Sequence, residues 1–177
     1  MTVRNLEAAL PGLSRKRRPA ALSLDWVTLE SELEFRFPTD FKELAEFYPE
    51  FSLCDFLSVL APRPTMEQEF IEEARDLLTV LQDNHDCGVA EFLPHPNEGG
   101  LFPWGMSTSG DVYYWKVHRG QDSGIITGSR ADIFWEFEGS FTDFLAGWLD
   151  GSLLPDDQPT AEQLGGPHFR LTSTRQQ

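Results

Sequence analysis

Apolar positions recur at helical spacing in four stretches of the chain. In SLDWVTLESELEF, Trp26, Leu29 and Leu33 fall at i, i+3 and i+7, with Ser23 or Asp25 placed to cap the start. In FPTDFKELAEFYPEF, Asp40 and Glu43 stand as an Asp-type capping box. Phe41, Leu44, Ala45 and Tyr48 then form one stripe, and Pro49 ends it. A third helix is predicted over residues 66–82, opened by a Thr65/Gln68 capping box. It lays Phe70, Ile71, Ala74, Leu77, Leu78 and Leu81 on one face and acids on the other. The last helix begins at Ser140, with Asp143 as its capping-box partner. It carries Phe141, Phe144, Leu145, Trp148 and Leu149 on one stripe and stops at Gly151.

Between these stretches the pattern shortens to strand period. SLCDFLSVLAP reads as a strand ended by Pro62. Three more strands are predicted near 101–106, 111–118 and 124–128, and a weaker one near 133–137. Turn residues separate them at Ser109-Gly110, Arg119-Gly120 and 129–131. Alternation over 111–117 points Tyr113, Trp115 and Val117 to one side and Val112, Tyr114 and Lys116 to the other. Trp115 then faces the closing helix, and Trp104-Gly105 suits a bulge where backbones approach closely. Tyr114, beside Lys116, is left to offer a polar-tipped aromatic to a partner. Residues 83–100 read as a loop. The expected fold is a single α+β domain: an antiparallel sheet of about four to five strands packed against N-terminal helices and a C-terminal helix. The expected divisions are a lead over 1–22, the domain over 23–154 and a flexible tail over 155–177.

Composition changes this picture in one respect, charge. The 177 residues carry 29 acids against 14 bases, a formal net charge of −15. Four of the bases form one run, RKRR, at 15–18. That run reads as a solvated stretch beside a turn, with a nuclear or nucleic-acid signal as the alternative. An acidic globule repels nucleic acid and anionic membranes and attracts basic proteins. No apolar run reaches the ~18 residues of a membrane span, and the first twenty residues lack a signal-peptide core. A cytoplasmic location is expected. Two cysteines, Cys54 and Cys87, make no disulfide framework.

The order of elements resembles the SUKH superfamily, which includes a fungal cell-wall synthesis regulator and many bacterial toxin-immunity proteins. The resemblance covers about residues 24–154. It rests on Trp26 in the first helix and on FPTDF (Pro38 and Asp40), where the family has a Leu-Pro-x-Asp-Tyr-like start. It rests also on FLSVLAP, on FPWGMSTSGDVYYW (Trp104, Gly105, Gly110, Trp115), and on SFTDFLAGWLDGSL (Phe141, Leu145, Trp148). Phe37 and Phe41 depart mildly from the pattern, and the long acidic helix is an elaboration on it. The resemblance implies an antiparallel sheet packed against helices, no enzymatic activity, and binding to a cognate toxin, often a nuclease or deaminase.

Candidate chemistry is sparse. His85, Cys87 and His95 match no common zinc spacing, and no glycine arrangement supports a Cys87–His85 nucleophile. Pairs such as Glu72-Glu73 and Glu136/Glu138 are expected by coincidence in so acidic a chain. GLFPWG lacks the lysine and helix of a phosphate loop. No catalytic residue, metal or cofactor is expected. The leading expectation is an immunity protein that binds and occludes a basic, nucleic-acid-acting toxin, without itself binding nucleic acid or membrane. Asp55, Glu69, Glu72, Glu73, Asp76, Asp111 and Tyr114 are the candidate contacts. The alternatives are a regulator or scaffold with an unrelated protein partner, an enzyme using His85, Asp86 and His95, and a small-ligand site under the aromatic sheet.

Overall fold

The computed structural model describes residues 3–128 and 134–172. Its helices are α1 (Arg4–Ala9), α2 (Trp26–Leu33), α3 (Thr39–Phe47), α4 (Glu67–Asp86) and α5 (Phe141–Asp150), with a 3-10 turn at Leu13–Lys16. Its strands are β1 (Phe51–Leu53), β2 (Leu57–Val59), β3 (Leu101–Ser107), β4 (Val112–His118), β5 (Gln121–Gly128), β6 (Phe134–Phe137) and β7 (Phe169–Leu171). They form one sheet in the order β6-β5-β4-β3-β2-β1-β7, and every neighbouring pair is antiparallel. The class is the expected α+β, with more strands than expected.

Local chemistry sets the sheet's irregularities. Pro103 has no N–H to give the ladder, and the β3–β4 register shifts between Pro103 and Gly105. A Cβ on Gly105 would sit 3.1 Å from the Ser58 carbonyl and 3.3 Å from Leu57 Cδ1, so a side chain at this bulge would press on β2. At the β4–β5 hairpin, Arg119 and Gly120 both hold positive φ, as a type I′ turn demands. The turn expected at 129–131 lies outside the described residues.

Alternation on β4 divides the interior as the sequence predicts. Tyr113, Trp115 and Val117 enter the main core with Phe35, Phe37, Phe41, Phe102 and Trp104. α5 closes over them: Phe141 meets Trp104 edge-on at 5.0 Å between ring centroids, and Phe144 meets it at 5.7 Å. Phe141, Phe144, Leu145, Trp148 and Leu149 are all buried, worth on the order of 10 kcal/mol of gross hydrophobic driving force. Asp40 fixes this roof to α3. Its Oδ2 accepts from the Thr142 backbone N–H at 2.8 Å and from Thr142 Oγ1 at 2.9 Å, in the first turn of α5. The predicted Asp40/Glu43 box does not form: the N-cap of α3 is Pro38, two residues earlier, and Asp40 caps α5 instead. Ser140 caps α5 as expected, accepting from Asp143 N–H.

Other expectations need correction as well. SLCDFLSVLAP is a hairpin and not one strand: Cys54 and Asp55 both adopt positive φ and reverse the chain between β1 and β2. α4 opens at Met66 without a side-chain cap, Thr65 being at positive φ, and runs to Asp86, well into the predicted loop. The N-terminal lead belongs to the core, because Val3, Leu6, Leu10 and Leu13 are buried and Asn5 Nδ2 donates to Asp143 on α5 at 2.8 Å. The tail is packed from 155 to 172. β7 pairs with β1, Ala161 is buried, and Trp148 Nε1 donates to the Pro159 carbonyl at 3.0 Å.

The basic run is also partly docked. Arg17 stacks 4.4 Å over the Phe47 ring and pairs with Glu43 at 3.0 Å, and Arg18 donates to the Tyr48 carbonyl. No helix among the described residues is long and apolar enough to cross a membrane.

Candidate partner-binding surface

α4 carries the acidic candidates. Its buried side holds Phe70, Ile71 and Ala74 in the main core. Leu81 joins a second cluster, with Leu101, Tyr114 and Ile126, on the other face of the sheet. That anchoring turns Glu69, Glu72, Glu73 and Asp76 outward, all exposed. Gln68 Nε2 donates to Glu72 at 3.2 Å, but among the described residues none of the four carboxylates makes an ion pair. Arg75, the one base within their turns, is drawn away to Glu32 at 2.9 Å.

The other candidates do not join this face. Asp55 sits exposed at the β1–β2 turn, but Arg170 pairs with it at 2.8 Å and His168 lies 3.6 Å away, so its charge is answered within the chain. Asp111 is buried. It accepts from Ser107 Oγ at 2.6 Å, its own N–H donates back to that oxygen, and together they tie the β3–β4 turn. Tyr114 is buried too, under Leu81, Ala90 and Ile126, because α4 and the segment behind it cover the face that was expected to stay open. Burial pushes its phenol up to about 12. Asp111 and Tyr114 are therefore built into the fold, and neither joins the exposed face of α4.

The loop chemistry does not assemble either. His85 Nδ1 lies 3.1 Å from the Ala90 carbonyl, and Cys87 is exposed. His95 is buried with Nε2 2.9 Å from the Leu33 carbonyl, wedged beside Phe35 and Phe102. Its pKa is lowered by burial, which outweighs the pull of Leu33 and Glu34. Among the described residues no three His, Cys, Asp or Glu side chains group as a metal site.

Two concavities meet at the N-terminal end of α4, around Met66, and the smaller reaches its first acids. The larger, about 380 Å³, has a mainly apolar wall that includes Leu44, Phe51, Val59 and Met66. The smaller, about 170 Å³, is bordered by Glu50, Glu69 and Glu73. Glu50, Ala61, Arg63 and Met66 line both. Sequence reading passes over them because they depend on the β1–β2 hairpin and on the Ala61-Pro62-Arg63-Pro64 segment that leads into α4. The visible signal was the prolines. A more open polar cleft of about 660 Å³ holds Arg36, Asp40, Lys42 and Asp122. There the Asp122 carboxyl is pushed up by burial and by the charge of Asp40.

Comparison with protein-family models, with curated proteins and with solved structures finds no match for this chain.

Proposed function

We propose that the chain is a non-enzymatic protein-binding domain that works as a cytoplasmic immunity protein, neutralising a basic, nucleic-acid-acting toxin by occlusion. The observation that carries this reading is the outward face of α4: four carboxylates, Glu69, Glu72, Glu73 and Asp76, without an ion pair among the described residues, in a chain of net charge −15. The SUKH-like order of elements over 24–154 supports it. Such a face is negative, as a phosphate backbone is, so it competes for the cationic surface on which a nuclease or deaminase holds its substrate. Steering by unpaired carboxylates raises association rates toward ~10⁸–10⁹ M⁻¹s⁻¹ at low salt, and that speed matters against an enzyme that turns over.

The test is reconstitution with the protein encoded beside this chain's gene. Purified chain should bind that protein, block its activity at equimolar ratio, and lose affinity as salt rises. Tight binding that leaves activity untouched would favour a regulator or scaffold of the same fold. No binding at any salt concentration would sink the proposal.

A further inference from the structure

The protein-binding reading leaves open what lies at the centre of the interface, and the paired concavities beside α4 answer that. We infer that this groove takes a segment of the partner in which an apolar side chain is flanked by lysine or arginine. The apolar residue enters the larger concavity and its cationic neighbour reaches the smaller one.

Three features carry the inference, which rests on the reading above. The larger concavity, at about 380 Å³, is within the roughly 300–1,000 Å³ range of binding pockets, and Leu44, Phe51, Val59 and Met66 give it an apolar wall. The smaller one opens from it across Ala61 and brings Glu50, Glu69 and Glu73 around a single arginine, Arg63, so its charge is net negative. Arg18, which also lines the larger concavity, is already engaged with the Tyr48 carbonyl. The rim is stiff, since Pro49, Pro62 and Pro64 each fix a backbone angle and little conformational freedom is left to lose on binding. Glu69 and Glu73 belong also to the exposed acidic face of α4, so steering surface and anchor are continuous. An interface built this way puts its desolvated apolar contact at the centre and its charges around it.

The test needs no identified partner. Isotope-labelled full-length chain is titrated with acetyl-Lys-Phe-Lys-amide, with its Lys-Ser-Lys counterpart, and with Glu-Phe-Glu, following amide shifts by NMR. The inference expects saturable shifts at Ala61, Met66 and Glu69 with the first peptide. It expects affinity at least about tenfold weaker with either control, and loss of the response in Ala61→Trp, which fills the shared wall from a half-buried position. Glu69→Lys with Glu73→Lys should weaken the first peptide while the spectrum stays that of a folded chain. Equal binding of Lys-Ser-Lys means charge alone, and preference for Glu-Phe-Glu means that Arg63 governs the groove. Either outcome overturns the inference, as does the absence of shifts. The two proposals fail separately: a toxin bound equally well by Ala61→Trp removes the groove and keeps the immunity reading.

Discussion

Single residues show how burial decides role in this chain. Asp40 is the clearest case: a carboxylate inside the protein, 5% exposed, whose oxygens take the Thr142 N–H and hydroxyl and the Phe41 N–H. Asp40→Ala strands the Thr142 groups in the interior and is expected to cost about 2–3 kcal/mol in urea unfolding. A loss under about half a kcal/mol would mean that α5 does not need this cap. The titrations of His95 and Asp122 act on stability with opposite signs. His95 is held neutral by burial, so the unfolded chain takes up its proton first. Stability is level above about pH 6.5 and falls as pH drops from there toward the lowered folded value. His95→Gln should flatten that slope in urea midpoints measured between pH 7.5 and 5. Asp122 has its pKa raised by burial and by Asp40, so stability falls as pH climbs from the ordinary carboxylate value to the raised one, and the full penalty remains at neutral pH. Asp122→Asn is accordingly expected to raise the neutral-pH melting temperature, and a fall would show that the carboxylate is stabilised by something other than its bulk.

Elements differ in how plainly the sequence announces them. α5 and the aromatic β3–β4 ribbon are legible because long periodic runs, a Ser140 cap and glycine turns all agree on one answer. The β1–β2 hairpin is not, since two three-residue strands are too short to show alternation and the reversal falls on Cys54-Asp55, where a lone Asp with no glycine or proline beside it is a weak turn signal. β7 is hidden for a different reason: its pairing with β1 spans more than a hundred residues and leaves no local trace. α1 is half visible, as Val3, Leu6, Leu10 and Leu13 keep helical spacing, but nothing local says that α5 lies beneath them. Of the candidate contacts, the acids of α4 could be placed by helical period. The burial of Tyr114 and Asp111 could not, because it depends on a helix and a turn arriving from elsewhere. The terminal segments carry a prediction of their own. Ending the chain after residue 154 removes β7, Ala161 and the Pro159 carbonyl, and should expose Trp148. Tryptophan emission is expected to shift red and the unfolding midpoint to drop; an unchanged spectrum and midpoint would show that the tail adds nothing to the fold.

Across the whole molecule, the aromatic core on one face of the sheet buries Trp104, Trp115, Phe141, Leu145 and Trp148, and a smaller cluster on the other face buries Leu81, Tyr114 and Ile126. Outside stand the acids of α4, Glu69, Glu72, Glu73 and Asp76, exposed and without an ion pair among the described residues. If the acidic face of α4 guides a cationic protein in, reversing its charge slows association. The most direct measurement is the association rate with the neighbouring-gene protein by stopped flow across ionic strength, for the native chain and for Glu69→Lys/Glu72→Lys/Glu73→Lys/Asp76→Lys. The account predicts a steep fall of the native rate with salt, and at low salt a rate at least about tenfold slower for the reversed chain, with the salt slope reduced. Equal rates and equal slopes for the two chains would contradict it.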